Sequence, residues 1–421
     1  MQYPIRGRHL AISLLALGLT AASGVHAQDD TDPSTMPPAV SVSGFGTVGL
    51  VHSSETHADF TSSVLKSSGA GATRRWSADV DSRLGLQLDL ALDKRWSAVL
   101  QLVSEQGLDN SYRPRVEWAN VKFQATPELA LRLGRVALPM FLTAEYRKVG
   151  YIYPWVRPPV EGYGALPFTS GDGIDANLRW SLDAVSNTSQ VFYGHADEHL
   201  GSALHADARG LAGLANTSDW GALSVRASLI AGEVSANIGS RLFHAFDALG
   251  PAGATLTRTY AIDHKRVSVA SIGASYDPGN WFVMAEGSRT HTRSLLGATR
   301  SVYASAGWRY NAFTPYVTWS HVRAIGPTSE PGLAPAGLPA AAAAQAAALN
   351  AGLNALLSTI PQQASVSTGL RWDLHANAAL KLQYDRVRPH GGSRGTLINL
   401  APGFRSGATA HVASVAVDFV Y

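Results

Sequence analysis

Apolar and polar residues alternate strictly through much of this chain. Between Trp76 and Leu90, one parity holds Trp76, Ala78, Val80, Leu84, Leu86, Leu88 and Leu90. The other holds Asp79, Asp81, Arg83, Gln87 and Asp89. Successive side chains on a strand point to opposite faces, so this pattern predicts a strand with one apolar and one charged face. The pattern recurs around Ile174–Trp180, Val302–Tyr310, Val366–Leu374 and Leu380–Tyr384. From Val40 onward, sixteen strands are predicted near 41–53, 76–91, 95–106, 114–124, 128–136, 172–181, 187–196, 205–214, 219–231, 266–277, 280–293, 299–310, 313–324, 364–374, 377–388 and 408–421. Around Val116–Phe123 the parity is mixed, with Trp118 sharing a face with Asn120 and Lys122.

The connections sort by length. Tight ones are Leu92-Asp93-Lys94, Ala125-Thr126-Pro127, Pro278-Gly279, Asn311-Ala312 and His375-Ala376. Between them fall long ones at 54–75, 137–171, 232–265, 325–363 and 389–407. Short-long alternation puts every long loop at one end of the sheet, as in a transmembrane β-barrel. Aromatics at strand ends (Trp76, Trp96, Trp180, Trp281, Tyr310, Phe313) suit interfacial girdles. The fold expected is therefore all-β, an antiparallel barrel spanning 41–421 and crossing a lipid bilayer.

The remaining features fit export to an outer membrane. Arg6, Arg8 and His9 precede an apolar run, Leu10 to Ala22, too short for a bilayer helix, which needs roughly 20 residues. Val25-His26-Ala27 offers a cleavage site, so 1–27 reads as a signal peptide and 28–40 as a flexible leader. The chain has no cysteine, which removes disulfides and thiolate chemistry. A formal net charge of +3, partly lost with the signal, argues against a nucleic-acid partner. Mean hydropathy is zero, as expected where half the strand residues face lipid and half face water.

The start Gly44-Phe45-Gly46-Thr47, the sixteen-strand count and the aromatic end resemble the Gram-negative porins, usually trimers of sixteen-stranded barrels. The segments Gly150–Glu161 and Tyr276–Met284 resemble a porin-like group within them. Val415, Val417, Phe419 and Tyr421 share one face, and the resemblance implies that the outer-membrane assembly machinery reads Phe419 and Tyr421. It also implies a homotrimer, and a loop between the fifth and sixth strands that folds inward and narrows the pore. Here that loop is 137–171, rich in aromatics and in prolines that fix φ. Candidate constriction residues are Glu145, Arg147, Lys148, Arg157 and Glu161 on the loop, with Arg83, Arg132 and Arg179 on the wall. Tyr151, Tyr153 and Trp155 are candidate aromatic lining. Many general porins set acidic loop residues against an arginine cluster. This loop is mixed and slightly basic, which leaves the sign of ion selectivity open.

The inward parity also carries Arg226, Arg309, Arg371, Lys381, Asp79, Asp81, Asp89, Asp175, Asp373, Asp385 and Asp418. Such charges either set a transverse field across the pore or hold the wall together as salt bridges. His195, Asp197, Glu198, His199, His205 and Asp207 have metal-ligand chemistry, but they fall where a polar outer loop is expected, and no metal site or cofactor is assigned. Ser240–Ala248 and 338–357 read as short helices in outer loops. No G-x-S-x-G motif is present, and no catalytic residue is assigned. The function expected is passive diffusion of small hydrophilic solutes and ions. The alternative is a channel of the same architecture specific for a sugar, organic acid or anion, ahead of a barrel enzyme or an adhesin.

Overall fold

The computed structural model describes residues 39–165, 168–200, 204–336 and 339–421. The expected signal peptide and most of the leader lie outside the described residues. Sixteen strands form one antiparallel barrel: β1 (Ala39–Ser53), β2 (Arg83–Ala91), β3 (Trp96–Glu105), β4 (Arg115–Gln124), β5 (Leu129–Ala137), β6 (Ser170–Leu182), β7 (Val185–Leu200), β8 (Leu204–Trp220), β9 (Leu223–Ala236), β10 (Lys265–Tyr276), β11 (Trp281–His291), β12 (Thr299–Trp308), β13 (Phe313–Ala324), β14 (Gln363–His375), β15 (Ala378–Pro389) and β16 (Ala410–Val420). Each pairs with its chain neighbours, and β1 closes the sheet on β16. At one end the connections run to four residues at most, the longest being 92–95, 125–128, 277–280 and 309–312. At the other lie 54–82, 138–169, 237–264, 325–362 and 390–409.

Closure depends on a staggered seam. The first half of β1 pairs with β2, from Ala39↔Ala91 to Thr47↔Arg83. Its second half pairs with β16, from Phe45↔Val420 to Ser53↔Val412. Gly44 and Tyr421 exchange both backbone hydrogen bonds at 3.0 Å. The Tyr421 ring covers Gly44 and the Phe419 ring covers Gly46, where a Cβ would overlap each ring. The glycines of the opening motif are thus seats for the aromatics that end the chain.

Outward positions carry leucine, valine and aromatic side chains left exposed to lipid, such as Leu84, Leu86, Leu88, Val48 and Leu50. Trp96, Trp180, Trp220, Trp308, Tyr310, Phe313, Trp372 and Tyr421 are exposed at the tight-turn end and form a girdle there. Trp76 belongs to the opposite end, next to His52.

Strand boundaries differ from expectation in two regions. The second strand begins at Arg83, not at 76. Trp76 and Ser77 add briefly to β1 at Val51 and His52, and the chain then turns with Ser82 N–H bonding Ala78 O, so Asp79 and Asp81 belong to a loop. β7 and β8 also run past the predicted 187–196 and 205–214, and the turn between β8 and β9 is 221–222, where Gly221 adopts φ +57°. Beyond the bilayer both faces of a strand meet water, so alternation ends before the strand does. The His195–Asp207 cluster is therefore on paired strands rather than a loop.

The long connections cap the far end. Helices α2 (Ser240–Asp247) and α3 (Pro251–Tyr260) lie in 237–264, and α4 (Ala340–Leu357) in 325–362. A short helix, α1 (Val160–Tyr163), lies in the inward loop and is numbered first in chain order. Phe243 and Phe246 of α2 are buried in one cluster with Leu353 and Leu357 of α4.

The seam yields a prediction. Gly46→Val places a branched side chain where the Phe419 ring lies and should destabilise the barrel by about 1–3 kcal/mol. Urea unfolding followed by the heat-modifiable gel shift measures this, and Phe419→Ala combined with Gly46→Val should recover part of the loss.

Candidate functional site

The connection 138–169 leaves β5, enters the barrel and crosses to the opposite wall. The wall holds its backbone. Lys381 of β15 donates to Gly150 O at 2.6 Å and Trp155 O at 2.9 Å, while pairing with Asp418 of β16 at 2.7 Å. Gln383 accepts from Val156 N–H at 3.0 Å and from Tyr316 O–H at 2.8 Å. Arg371 donates to Tyr153 O at 3.0 Å. Glu286 of β11 accepts from Leu142 N–H at 2.7 Å and Tyr163 O–H at 2.5 Å.

Two loop side chains act as anchors. Arg157 is 3% exposed. Its Nε and Nη2 donate to the two Asp81 oxygens at 2.8 and 2.6 Å, Nη1 donates to Asp385 at 2.9 Å, and Nη2 also donates to Ser414. A bidentate, charge-assisted arrangement of this kind offsets the cost of burying an ion. Glu161 accepts from Ser320 and from Gln363 Nε2, each at 2.7 Å, and from Ser365. A void of about 20 Å³ remains beside Arg157, room for about one water molecule.

These contacts correct part of the expected lining. Arg157 and Glu161 fasten the loop and do not face the open lumen. Trp155 is 1% exposed and Tyr153 3%, because their rings stack on each other 5.6 Å apart and Trp155 Nε1 donates to Ser305 at 2.9 Å. Neither presents a ring face to a passing solute. Tyr151 is half-buried, with the Arg371 guanidinium 4.7 Å from its ring centroid and its hydroxyl on Ala376 O.

The other candidates divide into paired and unpaired charges. Arg132 pairs with Asp175 at 2.6 Å and with Glu145 at 3.6 Å. Lys148 pairs with Glu105 of β3. Among the described residues, Arg83, Arg147, Arg179 and Lys122 have no carboxylate within 4 Å. Lys66, in 54–82, joins Arg83 and Lys148 around Glu105. Burial lowers its pKa below the ordinary lysine value, with Glu105 opposing and Arg83 and Lys148 adding to the drop. The wall of β2, β4, β5 and β6 beside the loop is therefore rich in positive charge.

Sequence reasoning missed Glu105, Lys66, Lys122, Gln383 and Glu286. Their inward parity was visible where a strand was recognised. Their partners were not, because each lies on a segment distant in the chain.

The sequence profile of the Gram-negative porin family matches residues 11–392. Salmonella typhi OmpF, solved in complex with daunomycin, is similar in fold, with a TM-score of 0.54 and 11% identity, covering 91% of this chain and 97% of that one. An anion-selective porin from Comamonas acidovorans has a TM-score of 0.51 and 13% identity, covering 91% of this chain and 100% of that one. In-vitro folded OmpT of Vibrio cholerae, in its trimer form, has a TM-score of 0.50 and 9% identity, covering 92% and 100%. No curated protein matches the chain.

Arg157→Gln leaves Asp81 and Asp385 without their cation. It should cost roughly 3–5 kcal/mol, the cost of breaking a buried pair, and should release the loop. Urea unfolding reads the first effect; larger and noisier single-channel current reads the second.

Proposed function

This chain belongs to the Gram-negative porin family, outer-membrane channels for passive diffusion, and we propose that it passes small hydrophilic solutes with a preference for anions. The observation that carries the preference is the imbalance of free charge. The loop's acids are taken, Glu161 by wall hydroxyls and an amide, Glu145 by Arg132. Arg83, Arg147, Arg179 and Lys122 stay unpaired among the described residues. A narrow passage with low-dielectric walls focuses such a field, raising the local anion concentration and depleting cations.

The mechanism needs only this wall and water. Charged inward positions keep the lumen wet. The anchored loop fixes the narrowest width, and the solute moves down its gradient. We read the chain as a channel without a covalent step, a reading supported by the family and the barrel fold. The alternative, a channel specific for an organic acid or other anion, is favoured by the same free arginines. The similar Comamonas acidovorans porin is itself anion-selective. An aromatic slide on Tyr151, Tyr153 and Trp155 finds little support, since two of the three rings are buried.

We also infer a homotrimer in the outer membrane, as in the trimer form of Vibrio cholerae OmpT. Export would remove 1–27, and Phe419 and Tyr421 would serve the assembly machinery. Intact mass of the mature protein should place its first residue near Gln28.

The ion preference is tested in a planar bilayer under a potassium chloride gradient. The reversal potential should have the sign of anion selectivity at about 0.1 M salt. It should weaken toward 1 M as the screening length falls from about 10 Å to about 3 Å. Arg83→Glu with Arg147→Glu should invert the sign. A cation-selective wild type would reject the reading. Block by one solute at micromolar concentration would favour the specific channel.

A further inference from the structure

We propose that Asp197, His199 and His205 form a binding site for a divalent transition-metal ion on the outer rim of the barrel. The site lies on β7 and β8, past the ends of the alternating pattern. It is independent of the channel reading, because these residues lie on the outward face of the strands.

The pairing of the two strands builds the site. His199 lies directly opposite His205, and Asp197 directly opposite Asp207. Residues two apart on a strand and residues directly opposed share a face, so two imidazoles and two carboxylates occupy one patch. The imidazole rings stand 4.6 Å apart. Asp197 Oδ1 lies 2.9 Å from His205 Nε2 and 3.4 Å from His199 Nδ1. One ligand atom from each of the three falls within 4.8 Å of the others. A tetrahedral ion holding nitrogen and oxygen at about 2.0–2.2 Å spaces its ligands roughly 3.3 Å apart. Both imidazole nitrogens already stand near that spacing from Asp197 Oδ1.

Charge supplies a second reason. Like charges directly opposed across two strands are destabilising, and Asp197 and Asp207 are so opposed. Arg209 takes Asp207 at 2.9 Å, which leaves Asp197 to the two histidines. A divalent cation between them would neutralise Asp197 and tie the outer end of the hairpin together. Two imidazoles with one carboxylate suit Zn²⁺, Ni²⁺ or Cu²⁺ over Ca²⁺ or Mg²⁺, which prefer all-oxygen shells. Exposure leaves the remaining coordination positions to water.

The test uses the folded mature barrel in detergent, without an affinity tag. Calorimetric titration with Zn²⁺ should give one ion per chain, displaced by Cu²⁺. The Cu²⁺ electron paramagnetic resonance spectrum should carry hyperfine structure from two nitrogens. His199→Gln and His205→Gln should each weaken binding roughly tenfold or more, and the double variant should lose both the stoichiometric binding and the two-nitrogen signal. The heat-modifiable gel shift of each variant should match wild type, which separates loss of ligands from loss of fold. Equal binding by the double variant, or no saturable binding by wild type up to millimolar Zn²⁺, would overturn the proposal.

Discussion

A strand that crosses hydrocarbon has no water to satisfy its backbone, so the hydrogen-bond ladder must close on itself. Here closure falls on β1, which serves two partners in succession, β2 along its first half and β16 along its second. The stagger tilts the strands and leaves the outer end of β1 beyond the end of β2. The fragment Trp76–Ser77 covers that exposed edge. The seam is finished by rings seated over glycines: Tyr421 on Gly44, Phe419 on Gly46, and Phe45 on Gly85 on the inner face. Local sequence and global closure therefore meet in the same few residues.

Closing sixteen strands makes a lumen wider than side chains alone fill, and the loop 138–169 takes up that space. A loop has no ladder of its own, so it must be held by side chains. The wall spends Lys381, Gln383, Arg371, Glu286 and Asp385 on this task, joined by Asp81 from the loop 54–82. The lumen charges thus serve two purposes at once. Those matched by a partner define where the loop lies, and those left over are, on the proposed reading, the field that a solute meets.

Strand number and loop segregation were legible in the sequence because both follow from a period of two, which lipid enforces on one face. Legibility failed where lipid no longer acts. The rim extensions of β7 and β8 carry Asp197, His199, His205 and Asp207 on their outward face, and the pattern there is that of a polar loop. The turn before Arg83 was read as strand because Asp79 and Asp81 keep the right parity by coincidence. For the constriction, composition marked the loop and parity marked the wall. Neither reveals that Arg157 faces Asp81 and Asp385, residues 76 and 228 positions away. Aromatic rings suggested a lining, whereas Trp155 is a buried packing residue whose indole N–H needs Ser305.

The manner of attachment bears on how selectivity can vary. Lys381, Gln383, Arg371 and Glu286 grip backbone atoms of the loop: the carbonyls of Gly150, Trp155 and Tyr153 and the N–H groups of Val156 and Leu142. Such contacts survive substitution of the loop side chains. Arg157, Glu161, Trp155 and Tyr163 fasten it through buried side chains, and Lys148, Tyr151 and Glu145 add more exposed contacts to Glu105, Ala376 O and Arg132. Glu145, Arg147 and Lys148 lie on the stretch between the anchors at Leu142 and Gly150. Their charges can change sign while the path of the loop is held at both ends. Under the proposed selectivity, width and charge preference fall to different residues of one segment.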